Sequence, residues 1–143
     1  MGLMYTPHTV TVINAYQNNG AMAYAATVLS GVFLDTSHSA LAQSLGAKDA
    51  DNAVLFIPAD VTAAGKTFAT PKVYAAAEDK SALWTLQEAG DSSAAVCFFV
   101  RGEAEAMSYK QARETYDDVF RVKTVLARDF GSADMRHWEV HGV

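Results

Sequence analysis

Near the end of the chain, in MRHWEVHGV, three polar residues recur at every second position: His137, Glu139 and His141. On a β-strand this spacing points all three side chains to one face, and an H-x-H pair two apart can chelate zinc or iron. Just upstream, Asp129, Phe130 and Gly131 spell the magnesium-binding tripeptide of protein kinases. That aspartate works only beside a Gly-rich loop, a strand lysine and an H-R-D catalytic loop, none of which occurs in this sequence. Asp129 to Gly131 therefore reads as a turn between two antiparallel strands, with Gly131 supplying a conformation that other residues resist. The trio has a metal-free reading as well. Trp138 and Val140 alternate with it, so a final strand would bury those two and turn His137, Glu139 and His141 to water.

Other reactive residue types lack the company that chemistry requires. Cys97 is the single cysteine and lies in AVCFFV, the setting of a small apolar core group rather than an activated thiol. A serine nucleophile would need a G-x-S-x-G elbow or an equivalent frame, and SLGAKDAD lacks the glycines and the Lys-Ser/Thr ending of a phosphate loop. His8 and His38 have no partner identifiable by spacing. Asp117 and Asp118 fall between a helix and a strand and read as a solvated junction. Tyr74, Trp84, Phe98 and Phe99 would suit base stacking if exposed, but they sit in apolar runs that are better explained as core. No catalytic residue, metal ligand or cofactor is expected.

The elements that must position these residues are mostly strands. HTVTVINAY (8–16) sets Val10 and Val12 against Thr9 and Thr11, the alternation of a strand with one wet face. Asn19-Gly20 then suits a tight hairpin turn. AMAYAATVLSGVFLD (21–35) reads as a long strand bent or bulged at Gly31. Residues 36–51, TSHSALAQSLGAKDAD, are small and polar and read as a long, mobile loop; connections of this length are uncommon and often functional. NAVLFIP (52–58) is a buried strand stopped by Pro58, and residues 59–72 form a connection. A short turn or helix is expected near 74–80, a strand at 82–87 and another at 94–102. Ser108 and Gln111 have the spacing of a capping box that opens a helix over 109–116. VFRVKTVLAR puts Phe120, Val122 and Leu126 on one strand face, with Arg121 and Lys123 on the other. Six or seven short strands and at most two short helices imply a mainly β chain closed as a single antiparallel barrel or sandwich over 1–143.

Composition agrees with one globular domain: 143 residues, half of them apolar, with charged residues few and scattered. The net charge of −5 argues against a phosphate-hugging surface, because nucleic-acid affinity rests on clustered cations. The N-terminal MGLMYTPHTV lacks the pattern of a signal peptide, and no apolar run approaches the roughly 20 residues that span a bilayer. A soluble chain made in the cytosol is expected.

MYTPHTVTVIN, GVFLDTS, NAVLFIP and YDDVFRVKTVLARDFGSADMRHWEV resemble small structural proteins encoded in the head-tail gene clusters of tailed phages and prophages of Gram-positive gut bacteria. The resemblance covers nearly the whole chain. It implies a minor capsid or head-closure role: small β-barrels that assemble as homo-oligomeric rings beneath the portal, in contact with portal, adaptor and tail proteins, first in the host cytoplasm and then in the virion. It also implies that a long loop projects into the ring channel, and 36–51 is the matching segment, with Ser37, His38, Leu41, Gln43, Leu45 and Lys48 as its candidate contact residues. An acidic wall repels phosphate, so contact with DNA would be passive. MGLMYT and the hairpin ends are candidate assembly arms.

The expectation is thus a non-enzymatic virion component. Two alternatives stay open: an OB-like nucleic-acid-binding module, and a small metal-dependent enzyme using His137, Glu139 and His141.

Overall fold

The computed structural model describes residues 6–38, 51–88, 97–128, 131 and 135–143, with backbone only at 37–38 and 51–52. Six strands form a closed antiparallel barrel in the order β1-β2-β3-β8-β7-β6: β1 His8–Asn18, β2 Ala21–His38, β3 Asp51–Pro58, β6 Phe98–Arg101, β7 Val119–Arg128 and β8 His137–Gly142. Two meanders, β1-β2-β3 and β6-β7-β8, are joined edge to edge by the β3–β8 and β1–β6 pairings. The fold is the mainly β barrel anticipated from the alternation, and it carries two short helices, α1 Pro71–Ala76 and α2 Tyr109–Thr115.

Two of the local turn signals operate as expected. Asn19 and Gly20 both take positive φ (53° and 82°), so β1 turns directly into β2 with Asn18 opposite Ala21. At the bulge, His8 pairs with Val32 and Thr9 with Ser30, which leaves Gly31 (φ 84°) as the extra residue. The inner side chains of β2 therefore change parity, from Thr27 and Leu29 to Val32 and Leu34. Beyond this bend β2 leaves β1 and pairs with β3.

A second bulge, between Val122 and Thr124 in β7, has no glycine to announce it. It corrects the expected facing of Leu126. After Phe120 and Val122 the inner position passes to Val125, opposite the buried Val140, while Leu126 pairs with Glu139 on the outside. Gly142 lies on the inner face; a Cβ there would come within 2.9 Å of Phe120 Cβ and Phe99 Cζ. Its hydrogen is what lets those two rings pack at 5.5 Å.

Residues 59–88 seal one end of the barrel. They include a strand that was not anticipated, β4 Thr67–Phe68, which pairs in parallel with β5 Leu83–Trp84. The strand expected at 82–87 shrinks to those two residues of β5, and the turn or helix expected near 74–80 is a helix that starts earlier because Thr70 caps it and Pro71 occupies its first turn. Phe68, Trp84 and Trp138 meet here with centroids 4.6–5.8 Å apart, closing the interior with aromatic edges. Asn14 ties the seal to β1: its Nδ2 donates to the Thr85 carbonyl (2.7 Å) and its Oδ1 accepts from the Thr85 amide (3.1 Å).

The outer side of β1 is not wet. Thr11 is as buried as Val10 and Val12, because residues 102–116 lie across β1 and β6. Ile13, Phe98 and Val100 form a second apolar cluster outside the barrel with Ala112 of α2, backed by Tyr109 and Met107. The Ser108–Gln111 capping box starts α2 as the spacing predicted. Among the described residues no helix is long and apolar enough to cross a membrane.

Candidate functional site

The outer face of β2, β3, β8 and β7 carries the residues with most chemistry. Cross-strand pairing aligns Phe33 with Phe56, Phe56 with Glu139, and Glu139 with Leu126. A neighbouring row holds Asp35, Val54, His141 and Thr124. Four rings run diagonally over this surface: His8 to Phe33 at 5.5 Å, Phe33 to Phe56 at 6.1 Å, and Phe56 to His137 at 6.0 Å. His8, which the sequence left without a partner, accepts the Leu34 amide at Nδ1 (3.0 Å), so its ring is held flush with the row. Phe33 and Phe56 are half-buried and belong to neither apolar cluster of the molecule.

The trio His137, Glu139 and His141 sits on this outer face, with Val140 inside, as the alternation required. All three are half-buried rather than fully wet, because flanking strands and rings shield them. The structure divides them. His141 Nε2 donates to Glu139 Oε2 at 2.8 Å, and Arg128 Nη2 lies 3.8 Å from the same oxygen. The His141 hydrogen bond, aided by Arg128, holds the Glu139 carboxyl below its ordinary range against the opposing effect of partial burial. His137 is engaged elsewhere, with Nδ1 3.1 Å from the Met135 carbonyl and its ring against Phe56. Among the described residues no three His, Cys, Asp or Glu side chains are grouped to hold a metal ion. Gly131 has the positive φ (86°) expected of a turn, while Asp129 and Phe130 lie outside the described residues.

The two ends of the segment expected as a loop at 36–51 are strand. β2 continues through Ser37 and His38, which pair with Asn52 and Asp51, because the β3 backbone offers ladder partners to residues that look loop-like by composition. This hairpin reaches past β8, whose last pairing is Gly142 with Ala53. Leu41, Gln43, Leu45 and Lys48 lie outside the described residues, as does residues 1–5 of the MGLMYT arm.

Inside the barrel, Cys97 is fully buried, and burial pushes its thiol up to about 11, against the pull of hydrogen bonds from Gln87 and Asn14. It is a neutral thiol at physiological pH and a poor nucleophile. Burial likewise raises the Tyr74 phenol to about 12. Tyr74, Trp84, Phe98 and Phe99 are at most 2% exposed, so none of these rings can present a face to a base. The barrel is also closed with six strands, whereas an OB-fold is five-stranded and partly open.

The row of rings is the feature that sequence reasoning missed. Its signal was present in GVFLD and VLFIP, where apolar residues occupy both faces of each strand, a pattern that calls for cover on the outside as well as the inside.

Residues 5–143 match DUF6751, a family of unknown function, and the chain belongs to that family. No curated protein and no solved structure matches it.

Proposed function

We propose that this DUF6751 chain is a non-enzymatic structural subunit of a phage or prophage head-tail junction, of the head-closure or minor capsid type, that works by packing into a ring. The observation that carries this reading is the half-buried aromatic row on the outer face of β2, β3 and β8. Apolar area left outside a closed barrel is the raw material of an interface, and aromatic residues are enriched at such contacts. Ring formation pairs two different faces of one subunit, and closure follows when each contact repeats the same rotation. The β2–β3 hairpin, extended beyond β8 towards residues 39–50, supports an arm that reaches a neighbour or the channel. The net charge of −5 supports passive contact with DNA. The sequence resemblance to head-tail cluster proteins supplies the partners: portal or adaptor on one side, tail protein on the other, met first in the host cytoplasm and then in the virion.

The test is assembly of the purified chain with the portal-side and tail-side proteins encoded beside it, read by light scattering and electron microscopy. Wild type is expected to enter a ring. Phe33→Asp with Phe56→Asp is expected to stay out of it while keeping the β-sheet circular-dichroism spectrum. A wild-type chain that stays monomeric with every such neighbour overturns the proposal.

A further inference from the structure

β1 and β2 separate where His8 stands. Their register ends with His8 opposite Val32, and Pro7 before it has no N–H to carry the ladder further. Beyond that point β2 pairs with β3, and on its other side no strand among the described residues offers a carbonyl to the Leu34 amide. The His8 imidazole takes the place of that carbonyl, with Nδ1 3.0 Å from the Leu34 nitrogen.

A backbone N–H only donates, so Nδ1 must accept and the ring carries its single proton on Nε2. This contact exists for the neutral ring alone. Protonation aims a hydrogen on Nδ1 at the Leu34 N–H, which sets two donors face to face, and the ring must turn away. The same ring is the first of the aromatic row, 5.5 Å from Phe33, which in turn lies 6.1 Å from Phe56. Its departure uncovers one end of that row together with an unpaired amide on the rim of the sheet, where another strand can add. The charged and titratable groups on the elements around it are Asp35 of β2, His137, Glu139 and His141 of β8, Arg128 of β7, and Arg101 and Glu103 at the end of β6. Among the described residues none forms an ion pair with His8, so none of them ties the protonated ring in place. We propose that His8 is a proton-operated latch: neutral, it caps the free edge of β2 and closes the end of the aromatic row; protonated, it releases Leu34 and opens both. The latch lies within one chain and does not depend on the ring-subunit reading.

The test is NMR of the ¹⁵N-labelled full chain between about pH 8 and about pH 5, the range over which histidine changes charge. At the upper end, long-range ¹H–¹⁵N spectra are expected to show His8 with its proton on Nε2. As the ring titrates, the Leu34 amide is expected to shift with it. Its protection against hydrogen exchange, corrected for the intrinsic dependence on pH, is expected to fall on the order of tenfold. His8→Asn sets an acceptor oxygen at the same bonded distance from the backbone as Nδ1 without a group that titrates in this range, so its Leu34 protection is expected to stay level. His8→Ala is expected to show the reduced protection at both ends of the range. Shifts that Asp35 imposes on its neighbour persist in both variants and are thereby told apart from those of His8. A proton on Nδ1 at the upper end overturns the proposal. So does protection that stays level while the wild-type ring titrates, or that falls equally in His8→Asn.

Discussion

Two outer faces of the same barrel have opposite fates. Over β1 and β6 the chain lays its own cover: Ile13, Phe98 and Val100 vanish beneath Ala112, Tyr109 and Met107, and no solvent reaches Thr11. Over β2, β3 and β8 the rings of Phe33 and Phe56 stay half-exposed, edged by histidines and the Arg128–Glu139–His141 group. Both faces carry apolar residues where a half-wet sheet would carry polar ones. The difference is where the cover comes from. A face covered in cis contributes to folding, whereas a face left open can contribute to association, so the two should respond differently to the same truncation.

The largest contrast is between Ile13→Ala and Phe56→Ala. Ile13 is fully buried, and its truncation removes transfer energy and leaves a cavity, a cost of about 3 kcal/mol. Phe56 is the larger side chain, yet it is only half-buried, so its loss is expected to cost the isolated chain about 1 kcal/mol. Urea denaturation of both variants checks this. Equal losses would mean that the aromatic row is an ordinary part of the fold.

Thr11→Val probes the seam that holds the cover down. The Thr11 hydroxyl donates to the Gly102 carbonyl (2.8 Å) and accepts from the Ala104 amide (2.9 Å). Valine keeps the shape but leaves both backbone groups without that partner, for an expected loss of about 2 kcal/mol in the same denaturation experiment. A smaller effect is expected at the start of α2. Ser108→Ala removes the Oγ that accepts the Gln111 amide (3.2 Å) and should cost about 1 kcal/mol. Hydrogen exchange is expected to rise over 109–115 before it rises in the barrel strands.

What could be read beforehand divides along the same line. The Asn19-Gly20 turn, the bulge at Gly31 and the capping box are local, because each depends on residues a few positions apart with special backbone or side-chain chemistry. The burial of Thr11 depends on partners 91 and 93 residues away, and a Thr/Val alternation looks the same whether or not something lies over it. The β7 bulge was hidden because it forms without glycine, and it reversed the facing of Leu126. Ser37 and His38 looked like loop because their composition says nothing of the β3 residues that pair with them. At the candidate site, period-two spacing placed His137, Glu139 and His141 on one face. Only the side-chain contacts, which run diagonally to the register and along β8, show that His137 belongs with Phe56 and that Glu139 belongs with His141 and Arg128.

That last division supplies the smallest effect. Because the folded-state pKa of Glu139 is depressed, by the His141 hydrogen bond first and Arg128 after it, its contribution to stability is complete above the ordinary carboxylate value of 4.5. It is lost as the pH falls through the lower folded value. The group lies at the surface, with its side chain 20% exposed and that of Arg128 40%, so solvent screening keeps the contribution to about 0.5 kcal/mol. His141→Ala should therefore raise the Glu139 pKa, measured by carboxyl NMR titration, and reduce stability at pH 6 by about that amount. His137→Ala should leave that pKa nearly in place, because its imidazole is the last and weakest of the groups acting on Glu139. If both substitutions moved the carboxyl equally, the three residues would be one electrostatic unit after all. The open face would then have to be reconsidered as a site built around that carboxylate rather than around its rings.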